Sequence, residues 1–324
     1  MTTRLLMHPA RAEALVVRRD GALERLALDD PSPLARLDPP DDRPRVLCAG
    51  APGEHVDVLS GSDSHSIDLS GWDDLSPLAR MKLGRSCSAW TALARADHAG
   101  WLLGADDSGT VHLIDRERAR HHVSQLDGMR GRAVSIHAGG RWAAALLSDP
   151  NRGAVRLWRL GEHPSLHARS LDLRHTRSPI LSLAGARGSL AFDAPGDLLF
   201  SYLSCSSLSH YPDGWRATVT AHEADSGRLV WAAEIDGQIT GDWRPLDDLD
   251  LPGGALPTEL VVTRAGRSLA LGSSRGTVIW LDPRDGALQD VHHTGSPHPI
   301  THLAHAHDAS LWALTSLGAL LPIG

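Results

Sequence analysis

Short runs in which Val, Leu, Ile and Ala alternate with polar residues fill the chain, and Gly, Asp, Pro and Ser punctuate them. Alternation with a period of two marks half-buried strands, and the punctuating residues are turn formers. The stretch SAWTALARADHAG-WLLGADDSG-TVHLIDRERA-RHHVSQL (88–126) reads as four such strands. Its turns fall at His98-Ala99-Gly100, Asp107-Ser108-Gly109 and Arg116. AVSIHAGG, RWAAALLSDP, GAVRLWRLG and SLHARSLDL repeat the four-strand unit directly afterwards.

The unit recurs along the chain. GTVHLID (109–115), GAVRLWR (153–159), ATVTAHE (217–223) and GTVIWLD (276–282) share one pattern, with weaker echoes at Gly21, Asp63 and Gly318. Successive anchors lie 42, 46, 44, 64, 59 and 42 residues apart. A repeat of roughly 40–45 residues is the period of a four-stranded propeller blade, which cannot bury its faces alone and so enforces a closed ring. The expectation is an all-β chain: a single seven-bladed β-propeller over 1–324, built of four-stranded antiparallel blades. The blades are placed at 9–43, 44–83, 84–128, 129–177, 178–236, 237–294 and 295–324. The last runs out of chain after its third strand, so the apolar segment 2–8 is expected to complete it or to pair beside it.

SLAFDAPGDLLFS (189–201) resembles the first hairpin of a WD-repeat blade, and GAVRLWR resembles the third strand that carries that family's Trp, here Trp158. ADSGRLVW (224–231) and LDPRDGALQ (281–289) resemble the third-to-fourth-strand turn of quinoprotein-type propellers. That resemblance implies that Asp225, Ser226-Gly227 and Trp231 dock neighbouring blades. Gly109, Asp115, Gly153, Gly276 and Asp282 are the matching blade-structural positions. Regular Gly-His and Trp-Asp dipeptides are missing, so the chain resembles propellers of a divergent, bacterial type. For such a member the resemblance implies work in an ATPase-containing multiprotein assembly.

Two spacings exceed the repeat because of CSSLSHYPDGWR (205–216), between the second and third strands of blade five, and DGQITGDWRPLDDLDLPGGALP (236–257), between blades five and six. In an up-and-down blade both connections leave by the same face, where insertions often build the binding surface. Tyr211, Trp215 and Trp243 are anchor-type aromatics, and Asp247, Asp248 and Asp250 form an acidic cluster suited to steering a basic partner. Either these residues meet a protein partner, or the two Trp tuck down over the blade and the carboxylates are solvated.

Composition narrows the chemistry. The net charge of −7 gives no global basic field for nucleic acid or anionic membrane. Cys48, Cys87 and Cys205 are widely spaced and odd in number, as expected of free thiols in a reducing compartment. No run approaches the ~18–20 apolar residues of a membrane span, and the N-terminus lacks a signal-peptide core. A cytoplasmic location is the expectation.

His298, His302, His305 and His307 follow His292 and His293, but their alternating strand parity works against a tetrahedral metal site, so no metal is assigned. The basic run Arg116, Arg118, Arg120, His121, His122, Arg130, Arg132 is either a phosphate or acidic-partner contact, or an exposed turn and outer strand. With no Gly-rich phosphate loop and no nucleophile elbow, the leading function is a non-catalytic interaction scaffold without a cofactor. The alternative is a small-molecule-binding or enzymatic propeller that uses the central channel. A channel mouth of polar, pKa-shifted groups would favour that alternative; Ala, Ser and Leu would count against it.

Overall fold

The computed structural model describes residues 4–8, 10–18, 20, 22–30, 32–38, 46–49, 57–61, 66–82, 90–96, 100–106, 108–115, 120–125, 130–148, 153–160, 169–172, 187–205, 216–236, 260–263, 266–273 and 276–323. They form antiparallel sheets strung in chain order. The first blade is β1 (Arg4–Met7), β2 (Glu13–Val17), β3 (Leu23–Ala27) and β4 (Pro33–Leu37). The second is β5 (Val46–Ala49), β6 (Asp57–Gly61), β7 (Ser66–Gly71) and β8 (Pro77–Lys82). The third is β9 (Trp90–Arg95), β10 (Trp101–Asp106), β11 (Thr110–Asp115) and β12 (Arg120–Gln125). The fourth is β13 (Arg130–Ile136), β14 (Trp142–Ser148), β15 (Gly153–Arg159) and β16 (Arg169–Asp172). The fifth is β17 (Arg187–Phe192), β18 (Leu198–Cys205), β19 (Arg216–Glu223) and β20 (Leu229–Asp236). The sixth is β21 (Leu260–Val262), β22 (Leu269–Gly272), β23 (Thr277–Leu281) and β24 (Leu288–His293). A final sheet holds β25 (Ile300–His305), β26 (Leu311–Thr315) and β27 (Leu320–Ile323).

The first strand of each sheet contacts the first strand of the next, and β1 contacts β25, so these strands form an inner ring.

The expected ring of seven four-stranded blades is corrected by this pairing: six blades have four strands and the final sheet has three. The N-terminal strand does not complete that sheet, because β1 pairs with β2 from Arg4↔Val17 to Met7↔Ala14. A backbone edge already paired to its own hairpin is not free to be lent. The final sheet is in turn built to end where it does. Thr315 N–H donates to Ala319 O at 2.9 Å, making that a hydrogen-bonded pair. With Leu314↔Leu320 and Trp312↔Pro322 next in register, the alternation turns the backbone groups of Leu320 and Pro322 outward. Pro322 has no N–H to offer a fourth strand, as expected of an edge strand.

The core lies between the sheets rather than within any one of them. In β14, Ala143, Ala145 and Leu147 pack on the third blade with Leu103, Ala105 and Leu113. The intervening Trp142, Ala144 and Leu146 pack on the fifth blade with Leu190 and Leu199. The sixth blade repeats this: Leu269 and Leu271 face Phe200 and Tyr202 of the fifth, while Ala270 faces Ile300 and Leu303 of the final sheet. Middle strands are therefore buried on both faces, which is why WAAALL, WLLGA and LALG read as unbroken apolar runs. Outer strands such as β12 and β24 keep exposed positions and polar sequences.

Closure is made by side chains. Val16 and Leu26 of the first blade pack with Leu314 of the final sheet, flanked by Leu5 and Leu320. Arg18 donates across the same junction to Gly318 O at 2.8 Å and also to Glu24 at 2.5 Å.

Candidate interaction face, blade docking and a channel-side cavity

Tyr211, Trp215, Trp243, Asp247, Asp248 and Asp250 lie outside the described residues. The strand ends from which their segments depart are described. Cys205 pairs with Arg216 at the end of β18 and β19, and Arg216 pairs with Asp236 at the end of β20. Both long connections of blade five therefore start from one end of one sheet, three strands abreast.

The blade-structural positions divide between turns and interfaces. Gly109 follows Asp106 in a tight turn with φ 81°, and its N–H donates to Asp106 O at 3.2 Å. Asp115 ends β11 fully buried, Gly153 opens β15, and Trp158 is buried between the third and fourth blades. Gly276, at φ 70°, lies so close to Ser296 that an added Cβ would fall 1.8 Å from its carbonyl oxygen.

Trp231, on the outer strand of blade five, donates its indole N–H to Pro283 O of blade six at 3.0 Å. Its ring covers Gly286, where a Cβ would come within 2.7 Å. Asp225 and Gly227 shape the turn before it: Gly227, at φ 73°, donates to Glu223 O at 2.7 Å. The Asp225 carbonyl accepts from Arg169 on the outer strand of blade four. Asp282 caps the equivalent turn of blade six, accepting from Arg284 N–H at 2.8 Å.

Together these contacts form one docking device, repeated at three blade junctions. The turn between the third and fourth strands of a blade receives the preceding blade: Arg169 on Asp225, Trp231 on Pro283, and Arg11 and Arg25 on Asp73 of the second blade. Trp72, beside Asp73, returns a hydrogen bond to Glu13 at 2.8 Å and meets the His8 ring edge-on. The sequence signal was present in repeated Asp-x-Ser or Asp-x-Ala turns. Asp30, Asp74 and Asp285 each accept the N–H two residues on, and this bond holds the carboxyls of Asp30 and Asp74 below the usual range.

The histidines do not share one site. His302 is buried, His305 donates from Nδ1 to Ala309 O at 3.2 Å, and His307 is exposed. Among the described residues no three His, Cys, Asp or Glu side chains are grouped to hold a metal. The basic run is also divided: Arg120 and His121 stand on the outermost strand of blade three, and Arg130 and Arg132 on the innermost strand of blade four. Burial, with Arg130 beside it, holds the Arg132 guanidinium below its usual range. In blade three, fully buried His112 stacks on His121, with Nδ1 3.0 Å from the His121 Nε2. Burial and then His121 push the His112 pKa down to about 4.

One open cavity of about 340 Å³ lies at the ends of the inner strands of blades four to six. Its walls are Ile136, Leu190, Ala191, Phe192, Leu260, Val261 and Val262, with Ser135, His137 and Asp193 as the polar side chains. No helix among the described residues is long and apolar enough to cross a membrane.

No protein-family model matches the chain, and no curated protein matches it. Solved structures do. The chain superposes on the WD40 repeats of RRP9 with a TM-score of 0.67 at 15% identity, over 100% of this chain and 98% of that one. U3-55K gives 0.66 at 15% identity over 99% and 98%. A chain of a mitotic checkpoint complex gives 0.60 at 13% identity over 99% and 86%. The fold is that of a WD40 propeller. At these identities the likeness is one of fold, and it supports the WD-repeat side of the resemblance read from GAVRLWR and SLAFDAPGDLLFS.

Proposed function

We propose that this WD40-type propeller is a non-catalytic scaffold for protein–protein contacts within a cytoplasmic multiprotein assembly, with its main contact face at the two insertions of blades five and six. The observation that carries the reading is the pairing of Cys205, Arg216 and Asp236, which roots both insertions at one end of one blade. A rigid ring that presents two loops from fixed roots loses little ordering entropy on binding. In this reading Tyr211, Trp215 and Trp243 anchor the partner and Asp247, Asp248 and Asp250 steer a basic surface toward it. One of the structural neighbours is itself a chain of a multiprotein complex, which supports a protein as the partner. An ATPase-containing bacterial assembly is the specific setting we favour, on the family resemblance.

The test is affinity capture from the native host with mass spectrometry, wild type against a Trp215→Ala/Trp243→Ala double variant, with the mass of each purified protein measured by light scattering. A stoichiometric partner held by the wild type and lost by the variant is the expected result. A partner retained unchanged by the variant would remove the insertions from the contact face. A change in oligomeric mass alone would replace the partner by a second copy.

A further inference from the structure

The cavity lies at the turns that join the first and second strands of blades four and five, opposite to the ends of β18, β19 and β20 from which the insertions leave. Its wall at blade four ends in His137 and Ala138, and its wall at blade five ends in Asp193 and Ala194. His137 is 6% exposed, and its Nε2 lies 3.0 Å from Ala194 O. A carbonyl only accepts, so Nε2 carries the proton and Nδ1 is left as a lone-pair acceptor. That Nδ1 is buried and has no hydrogen-bond partner among the described residues.

That nitrogen is sealed under the β13–β14 turn, where a Cβ on Gly139 would lie 3.3 Å from it, and it does not open on the cavity. The ring is held firmly in place: a Cβ on Gly196 would come within 2.8 Å of it and one on Gly139 within 3.0 Å. On the next blade the Asp193 carboxylate uses Oδ1 to accept from Leu198 N–H at 2.9 Å. Its Oδ2 has no hydrogen bond to another described residue.

The polar groups offered to the cavity are the Asp193 carboxylate and the Ser135 hydroxyl, set in an otherwise aliphatic and aromatic wall. A volume of about 340 Å³ lies at the lower end of small-ligand pockets, roughly 300–1,000 Å³. The spare carboxylate oxygen of Asp193 selects a ligand that donates, and its charge favours one that is positively charged. We propose that this cavity binds an organic ammonium group, a compact apolar body carrying one primary ammonium. The same chemistry is offered by a free amine and by a lysine side chain of a protein. The site is independent of the insertions and of their proposed partner.

Methyl NMR of the full chain tests it, with Leu190, Leu260, Val261 and Val262 as reporters. Cyclohexylammonium is expected to shift these methyls saturably with a millimolar Kd, and cyclohexanecarboxylate to bind at least tenfold more weakly. Asp193→Asn keeps the acceptor for Leu198 N–H while removing the charge, and Ala138→Phe blocks the cavity from an exposed turn position. Both variants are expected to melt within a few degrees of the wild type and to weaken ammonium binding at least tenfold. Nα-acetyl-lysine amide separates the sources: tighter binding than cyclohexylammonium assigns the cavity to a protein side chain, weaker binding to a small amine. Absence of saturable shifts with either amine, equal binding of the carboxylate, or unchanged affinity in both variants would overturn the proposal.

Discussion

At the scale of single residues, Trp231 and Gly276 show two kinds of constraint. Trp231 is 9% exposed and spends its indole N–H on the next blade. Trp231→Phe should keep most of the packing and lose one hydrogen bond, about 1 kcal/mol. Trp231→Ala should cost about 3–5 kcal/mol, both read from urea denaturation. Gly276→Ala puts a methyl against the Ser296 carbonyl at a positive φ. We expect at least about 1–3 kcal/mol of destabilisation, the usual cost of such strain, and hydrogen-exchange protection lost first at β23 and β24. The Trp231 contact was legible in part: ADSGRLVW marked the turn and the Trp. Its acceptor, Pro283, lies 52 residues on, and no local pattern names a partner at that separation.

At the scale of elements, β27 is the informative strand. Its outward backbone positions are Leu320 and Pro322, and the proline removes the donor that would template another strand. Pro322→Val restores that N–H. We expect little change in monomer stability and a new concentration-dependent dimer, seen by sedimentation velocity; a variant that stays monomeric at high concentration would show that the edge is guarded by something else. The proline stands in plain sight in GALLPIG, and weighing it as an edge signal would have argued against a borrowed fourth strand. The Arg18 contact to Gly318 joins elements 300 residues apart. Arg18→Met should strand Glu24 with Arg36 alone and loosen the junction, with faster hydrogen exchange in β1 and β25 than in β14.

At the scale of the whole molecule, stability should depend on pH through its buried histidines. His112, pushed down to about 4 from an ordinary value of 6.5, stays neutral in the fold while the unfolded chain takes up a proton. Its contribution is therefore complete above about pH 6.5, is lost progressively as pH falls toward 4, and levels off below. At roughly 1.4 kcal/mol per pH unit, the loss from this group is about 3 kcal/mol. Burial lowers His8 and His222 in the same direction. Urea midpoints at pH 7, 5 and 4 should fall in that order, and His112→Gln should flatten the slope. A midpoint independent of pH over this range would remove His112 from the account.

The repeat, the strand periodicity and the turn chemistry were set by the amino-acid sequence alone, because they depend on neighbours two to five residues away. Tertiary structure decided what depends on distant partners. It set which blade receives Trp231, how β1 meets β25 across the closing junction, and that His137 and Asp193 of adjacent blades line one cavity. Those outcomes follow from the ring bringing inner-strand ends together, and a closed ring is a property of all its sheets at once.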